Sequence, residues 1–70
     1  MERQYVASTN IASIGYDSVN MILEIEFLNG SIYQYYDVPQ YLYEGLMNAN
    51  SHGKFFDANI KKGGYRYLKI

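Results

Sequence analysis

Seventy residues without a cysteine make one domain, near the lower limit at which a chain without staples folds alone, and they exclude a disulfide scaffold or a thiolate metal cage. Apolar residues are 49% of the chain, with nine Tyr and three Phe, and charged residues only 19%, so some aromatic surface is expected to remain for a partner. A net charge of −1, no run near the roughly 20 apolar residues of a membrane span, and no apolar signal region behind Met1-Glu2-Arg3-Gln4 lead us to expect a soluble cytoplasmic protein with no membrane partner.

Tyr5-Val6-Ala7 fits either a short strand or an ordered lead-in. Residues 11–16 read as a strand with Ala12, Ile14 and Tyr16 on one face, followed by a turn at 17–20 in which Asp17 bonds its own backbone. Residues 21–28 alternate most clearly: Met21, Leu23, Ile25 and Phe27 point one way, Glu24 and Glu26 the other. A turn at 17–20 then pairs Tyr16 with Met21, Ile14 with Leu23 and Ala12 with Ile25. Asn29-Gly30 marks the next hairpin. A tight Asn-Gly turn would set Gln34 against Ile25 and bury a carboxamide, at a cost of about 1–3 kcal/mol. A loop of Leu28, Asn29 and a left-handed Gly30 instead pairs Ile25 with Tyr33 and Leu23 with Tyr35, with Gln34 facing solvent beside Glu24. We therefore expect the bulged turn and a third strand over 32–36.

At Pro39 the hydrophobic period changes from two to three and four. Proline suits a first helical position, and Asp37 would lie near the positive end of the helix dipole. A helix over 39–49 turns Leu42, Leu46 and Ala49 inward, flanked by Tyr43 and Met47. Gly45 within it implies a close approach. Ser51 caps a second helix over 52–61 with Phe56 and Ile60 one turn apart. After the break at Gly63-Gly64, residues 65–69 alternate as an edge strand would, and fit a loose tail equally. The expected class is α+β: a three-stranded antiparallel meander followed by two helices, with an optional further edge strand, in a single domain over residues 1–70.

The catalytic inventory is poor. His52 stands alone at a helix junction, a place for a capping or surface residue, and no base lies at motif spacing from a serine. Glu24 and Glu26 are expected to form a solvated sheet face, and Gly63-Gly64 lacks a phosphate-loop context. No enzyme activity, cofactor or metal is implied. Charge is more informative. Residues 1–50 carry six carboxylates against Arg3, a net of −5, while residues 51–70 carry five cations against Asp57, a net of +4. The basic end either meets an anionic partner or lies against the acidic sheet. Lys54, Lys61, Lys62, Tyr65, Arg66, Tyr67 and Lys69 interleave cations with rings, a pattern that suits RNA or DNA, since charges track phosphates and rings stack on bases. The competing reading is a protein-interaction or structural module that uses exposed tyrosines, with Tyr36 and Tyr41 outward and Tyr16, Tyr33 and Tyr35 in the core.

The ordered set Ser8-Thr9-Asn10-Ile11, Ile14-Gly15-Tyr16-Asp17, Leu23-Glu24-Ile25-Glu26-Phe27, Asn29-Gly30, Tyr33-Gln34-Tyr35, Val38-Pro39, Tyr43, Leu46, Ala49, Ser51, Gly53, Phe55-Phe56 and Ile60-Lys61 resembles the KTSC domain. That module is named for the C-terminus of certain lysyl-tRNA synthetases. The resemblance spans about residues 6–67, departs from the family's usual end at Gly63-Gly64, and implies a bacterial or phage protein whose family function is not established. Attachment to a synthetase implies nucleic-acid contact by association, and no catalytic residue or cofactor carries over.

Overall fold

Alternation dominates the first half of the chain and helical spacing the second, and the computed structural model, which describes residues 1–70, follows that division. Strands β1 (Arg3–Tyr5), β2 (Ile11–Asp17), β3 (Ile22–Phe27) and β4 (Ile32–Tyr35) are followed by helices α1 (Gln40–Asn48) and α2 (His52–Asn59), a 3-10 turn at Lys61–Gly63, and β5 (Tyr67–Lys69). The strands form one antiparallel sheet in sequential order, so the expected meander is extended by an edge strand at each end. The tail takes the strand option, although shorter than 65–69. At the start of the chain the strand lies mostly upstream of the Tyr5-Val6-Ala7 stretch.

The second hairpin has the bulged turn. Gly30 is left-handed at φ 92, the Phe27 N–H donates to Ser31 at 2.9 Å, and Ile25 pairs with Tyr33 and Leu23 with Tyr35. The first hairpin departs from expectation by two residues: Tyr16 pairs with Leu23 and Ile14 with Ile25. Asp17 ends the strand instead of opening the turn. Its carboxylate accepts the Val19 and Asn20 N–H groups at 3.0 and 3.1 Å and closes the loop from the strand side. A slip of two keeps every side chain on its face, so apolar residues still meet. A second departure is a bulge at Ala12, where Ile11 pairs with Phe27 and Ser13 with Glu26. The extra residue turns Ile11 into the core, fully buried, in place of Ala12.

Helices α1 and α2 cover one sheet face. Ile11, Ile14, Leu23, Ile25 and Tyr35 meet Val38, Leu46, Phe56 and Ile60 in a single core, with Leu42, Tyr43 and Met47 at its margin. The close approach at Gly45 is to Phe55: a Cβ there would lie 2.7 Å from the end of that ring. Ser51 caps α2, its Oγ accepting the Lys54 N–H at 3.2 Å. That helix stops at Asn59 rather than 61: Ile60 caps it, its N–H donating to the Phe56 carbonyl, and the 3-10 turn begins at Lys61. Pro39 is the cap of α1 rather than its first residue. Asp37 does not serve the helix dipole. It takes a left-handed φ of 59 and bonds Arg66 at 3.2 Å.

The other sheet face is polar but not solvated at its centre. Arg3, Gly15, Glu24 and Gln34 line up across four strands. Because Gly15 has no side chain, Arg3 crosses over it and bonds the Glu24 carboxylate, while Gln34 Nε2 donates to the other Glu24 oxygen at 2.8 Å. Ser13 Oγ joins Arg3 Nε, at 2.9 Å, to Glu26 Oε1, at 2.8 Å. Glu24 is thereby buried to 5% exposure, which corrects the expectation of a solvated pair. The cause is β1, the strand that the hydrophobic pattern does not announce.

Candidate functional site

Strand parity puts Tyr33 and Tyr35 on the helix face of β4, and the register Tyr33–Lys69 and Tyr35–Tyr67 puts Tyr67 and Lys69 beside them. The three tyrosine rings form a triangle with centroids 6.3 Å (Tyr33–Tyr35), 6.0 Å (Tyr33–Tyr67) and 5.7 Å (Tyr35–Tyr67) apart. Phe56 meets Tyr35 edge-on at 5.4 Å, and Phe27 meets Phe56 and Tyr33 edge-on at 5.5 and 5.9 Å. These five rings floor a cleft of about 470 Å³ whose rim is Asn10, Asp57 and Lys61. Tyr35 is its buried end. Burial first, then Tyr33 and Tyr67, pushes its phenol up to about 12, so the group stays neutral at ordinary pH. Tyr67 is the exposed end, with 64% of its surface free.

A polar groove of about 380 Å³ adjoins the cleft and shares Asn10 and Asp57 with it; Thr9, Ser51, Gly53 and Lys54 complete its lining. Asn10 is held in place between the two. Its Oδ1 accepts from Ser8 Oγ at 3.0 Å, and the same oxygen would lie 2.4 Å from a Cβ on Gly53, so the bare backbone of Gly53 is what admits it.

The cations and rings anticipated from the C-terminal sequence are divided by the fold. Lys61 and Tyr67 line the aromatic cleft, Lys69 stands opposite Tyr33 on the same face, and Lys54 lines the adjoining groove. None of these three lysines makes an ion pair. Lys62 instead pairs with Asp57 at 3.3 Å. Arg66 bonds Asp37 and stands 5.2 Å from the centroid of the Tyr36 ring, apart from the cleft. Tyr65 packs against the core, its ring where a Gly63 side chain would be. The basic tail thus forms an ion pair with the acidic half of the chain only through Arg66. Sequence reasoning assigned Tyr33 and Tyr35 to packing alone and missed Phe27, Phe56, Asn10 and Asp57 as wall residues. The signal for Tyr33 and Tyr35 was the alternation of Tyr33-Gln34-Tyr35, readable only once β5 is set beside it.

Among the residues considered for other roles, His52 donates from Nδ1 to the Leu46 carbonyl at 2.8 Å and closes the end of α1. Tyr36 is half-buried, with its hydroxyl donating to Gln34 at 3.0 Å, whereas Tyr41 is 70% exposed. No three His, Cys, Asp or Glu side chains converge, and no helix is long and apolar enough to cross a membrane.

An α+β domain built this way has matching relatives. The family model of the KTSC domain matches residues 7–67, so the chain belongs to the KTSC domain family. A crystal structure of a KTSC domain protein from Yersinia pestis superposes with a TM-score of 0.90 at 47% identity, covering 99% of this chain and 96% of that one. An uncharacterized protein of Stutzerimonas stutzeri is 39% identical over 70 residues, covering 100% of this chain and 99% of its own length. A lysine–tRNA ligase of Trichormus variabilis is 42% identical over 55 residues, which are 79% of this chain and 10% of the ligase. The likeness is therefore to a small part of that enzyme.

Proposed function

We propose that this domain is a non-enzymatic binding module that takes single-stranded RNA or DNA along the aromatic cleft and its polar continuation. The observation that carries the reading is Tyr67, a ring 64% exposed on a floor of four further aromatics, with the unpaired Lys54, Lys61 and Lys69 on the same side. Rings in that position offer faces on which bases stack, at about 1–3 kcal/mol per base, and lysines around them follow the phosphates. The occurrence of related segments in lysine–tRNA ligases supports the same reading by association. The alternative of protein contact through Tyr36 and Tyr41 is weaker, because Tyr36 is engaged within the chain by Gln34 and Arg66.

Fluorescence anisotropy of labelled single strands and duplexes tests it. Binding is expected to favour single strands and weaken steeply with added salt. Tyr67→Ala is expected to weaken it about 10-fold, one stacked base lost. Lys61→Ala is expected to lower affinity and flatten the salt dependence. No anisotropy change in low salt at high protein concentration refutes the proposal.

A further inference from the structure

Resting on that reading, we infer that the cleft selects guanine through Asn10 and Asp57. Phosphate neutralisation does not explain this part of the wall: a carboxylate repels phosphates, yet Asp57 stands at the junction of cleft and groove. An ionised carboxylate is an acceptor with two oxygens, suited to two adjacent N–H donors. On the pairing edge of a base only guanine presents such a pair, N1–H beside the 2-amino group. Adenine and cytosine present an amino group alone, and uracil a single ring N–H. Guanine carries an acceptor, O6, next to the pair, and the wall supplies the matching donor. Asn10 Oδ1 is committed to Ser8 Oγ at 3.0 Å, which leaves the Nδ2 amino group to donate. That side chain also lies against the bare backbone of Gly53. One donor from Asn10 with two acceptors from Asp57 is the set that complements O6, N1–H and the 2-amino group of guanine, and both residues line the same cleft as Tyr67. The exposed pair from Lys62 to one oxygen, at 3.3 Å, offsets the charge of Asp57 toward the strand and is weak enough to yield.

The probe is a set of short uridine oligomers carrying one central guanine, inosine, adenine or cytosine, titrated into the intact protein at fixed salt. Guanine is expected to bind about 10-fold tighter than adenine, as for a good bidentate base contact. Inosine, which lacks only the 2-amino group, is expected between them. Asp57→Asn is expected to erase the difference between guanine and adenine, and the inosine comparison needs no variant to fold. Equal affinity for all four, or preference for another base, overturns the guanine reading and leaves strand binding standing. Absence of binding by every oligomer overturns both.

Discussion

Arg3 reaches Glu24 only because a glycine lies between them on β2, and Glu24 is comfortable in its buried position only because Arg3 arrives. Burial pushes the Glu24 pKa up, but the hydrogen bonds from Gln34 and Arg3 and the Arg3 charge outweigh it and hold the carboxyl below its ordinary 4.5. A group depressed on folding stabilises the fold above its unfolded pKa, and that contribution is lost as pH falls through the folded value. Melting temperature is therefore expected to fall in acid below pH 4.5, less steeply in Glu24→Gln. Asp17, depressed by its hydrogen bonds from Asn20, supplies part of the same acid limb, so the variant flattens it without abolishing it. Arg3→Ala leaves a buried carboxylate without its charged partner and is expected to cost about 2 kcal/mol by chemical denaturation. At the alkaline end Tyr35 does the reverse. Its folded pKa of about 12 exceeds the ordinary 10.0, so its contribution is full below 10.0 and declines as pH rises toward 12; Tyr16, raised by burial as well, shares that limb, so Tyr35→Phe should flatten the decline in a thermal scan without abolishing it.

At the scale of elements, the second hairpin was legible because parity left one answer: only the bulged turn kept Gln34 off the core face. The first hairpin was legible in face but not in register, since pairings two apart satisfy the same alternation and only the bonds of Asp17 decide between them. The bulge at Ala12 was hidden, because Ile11 and Ile14 share a face only when one residue is looped out. Arg3–Tyr5 lacks any apolar alternation and joins the sheet by backbone pairing and the ion pairs of Arg3 with Glu24 and Glu26, none of which leaves a mark in hydropathy. The helices carried clearer signals, and two substitutions check them. Ser51→Ala removes the acceptor for the Lys54 N–H and is expected to cost about 1 kcal/mol. Gly45→Ala gains up to about 1 kcal/mol of helix propensity but drives a methyl into the Phe55 ring, and the overpacking wins, for a net loss of about 1 kcal/mol in urea denaturation.

For the molecule as a whole, the sheet divides two tasks. One face carries the polar network that secures β1, and the other holds the helices with the aromatic cleft at the β4–β5 side of the core. The excess of tyrosine and the polarity of charge along the chain pointed to a binding surface, but not to its composition. Seven residues chosen from the stretch 54–69 are parted by strand parity and by ion pairs, and their partners Tyr33, Tyr35 and Phe27 come from strands far away in the chain, while Phe56 lies on the helix within that stretch. No local pattern contains a register between β4 and β5. The cleft is the meeting of that register with the α2 packing, which is why it had to be seen rather than read. The most direct test is amide and aromatic chemical-shift mapping by NMR during titration with a short single-stranded RNA. The account predicts shifts confined to Tyr33, Tyr67, Lys61, Lys69 and the Asn10–Asp57 junction, with Arg3, Glu24 and the rest of the opposite face unmoved. Shifts centred on that opposite face, or none at saturating RNA, would contradict it.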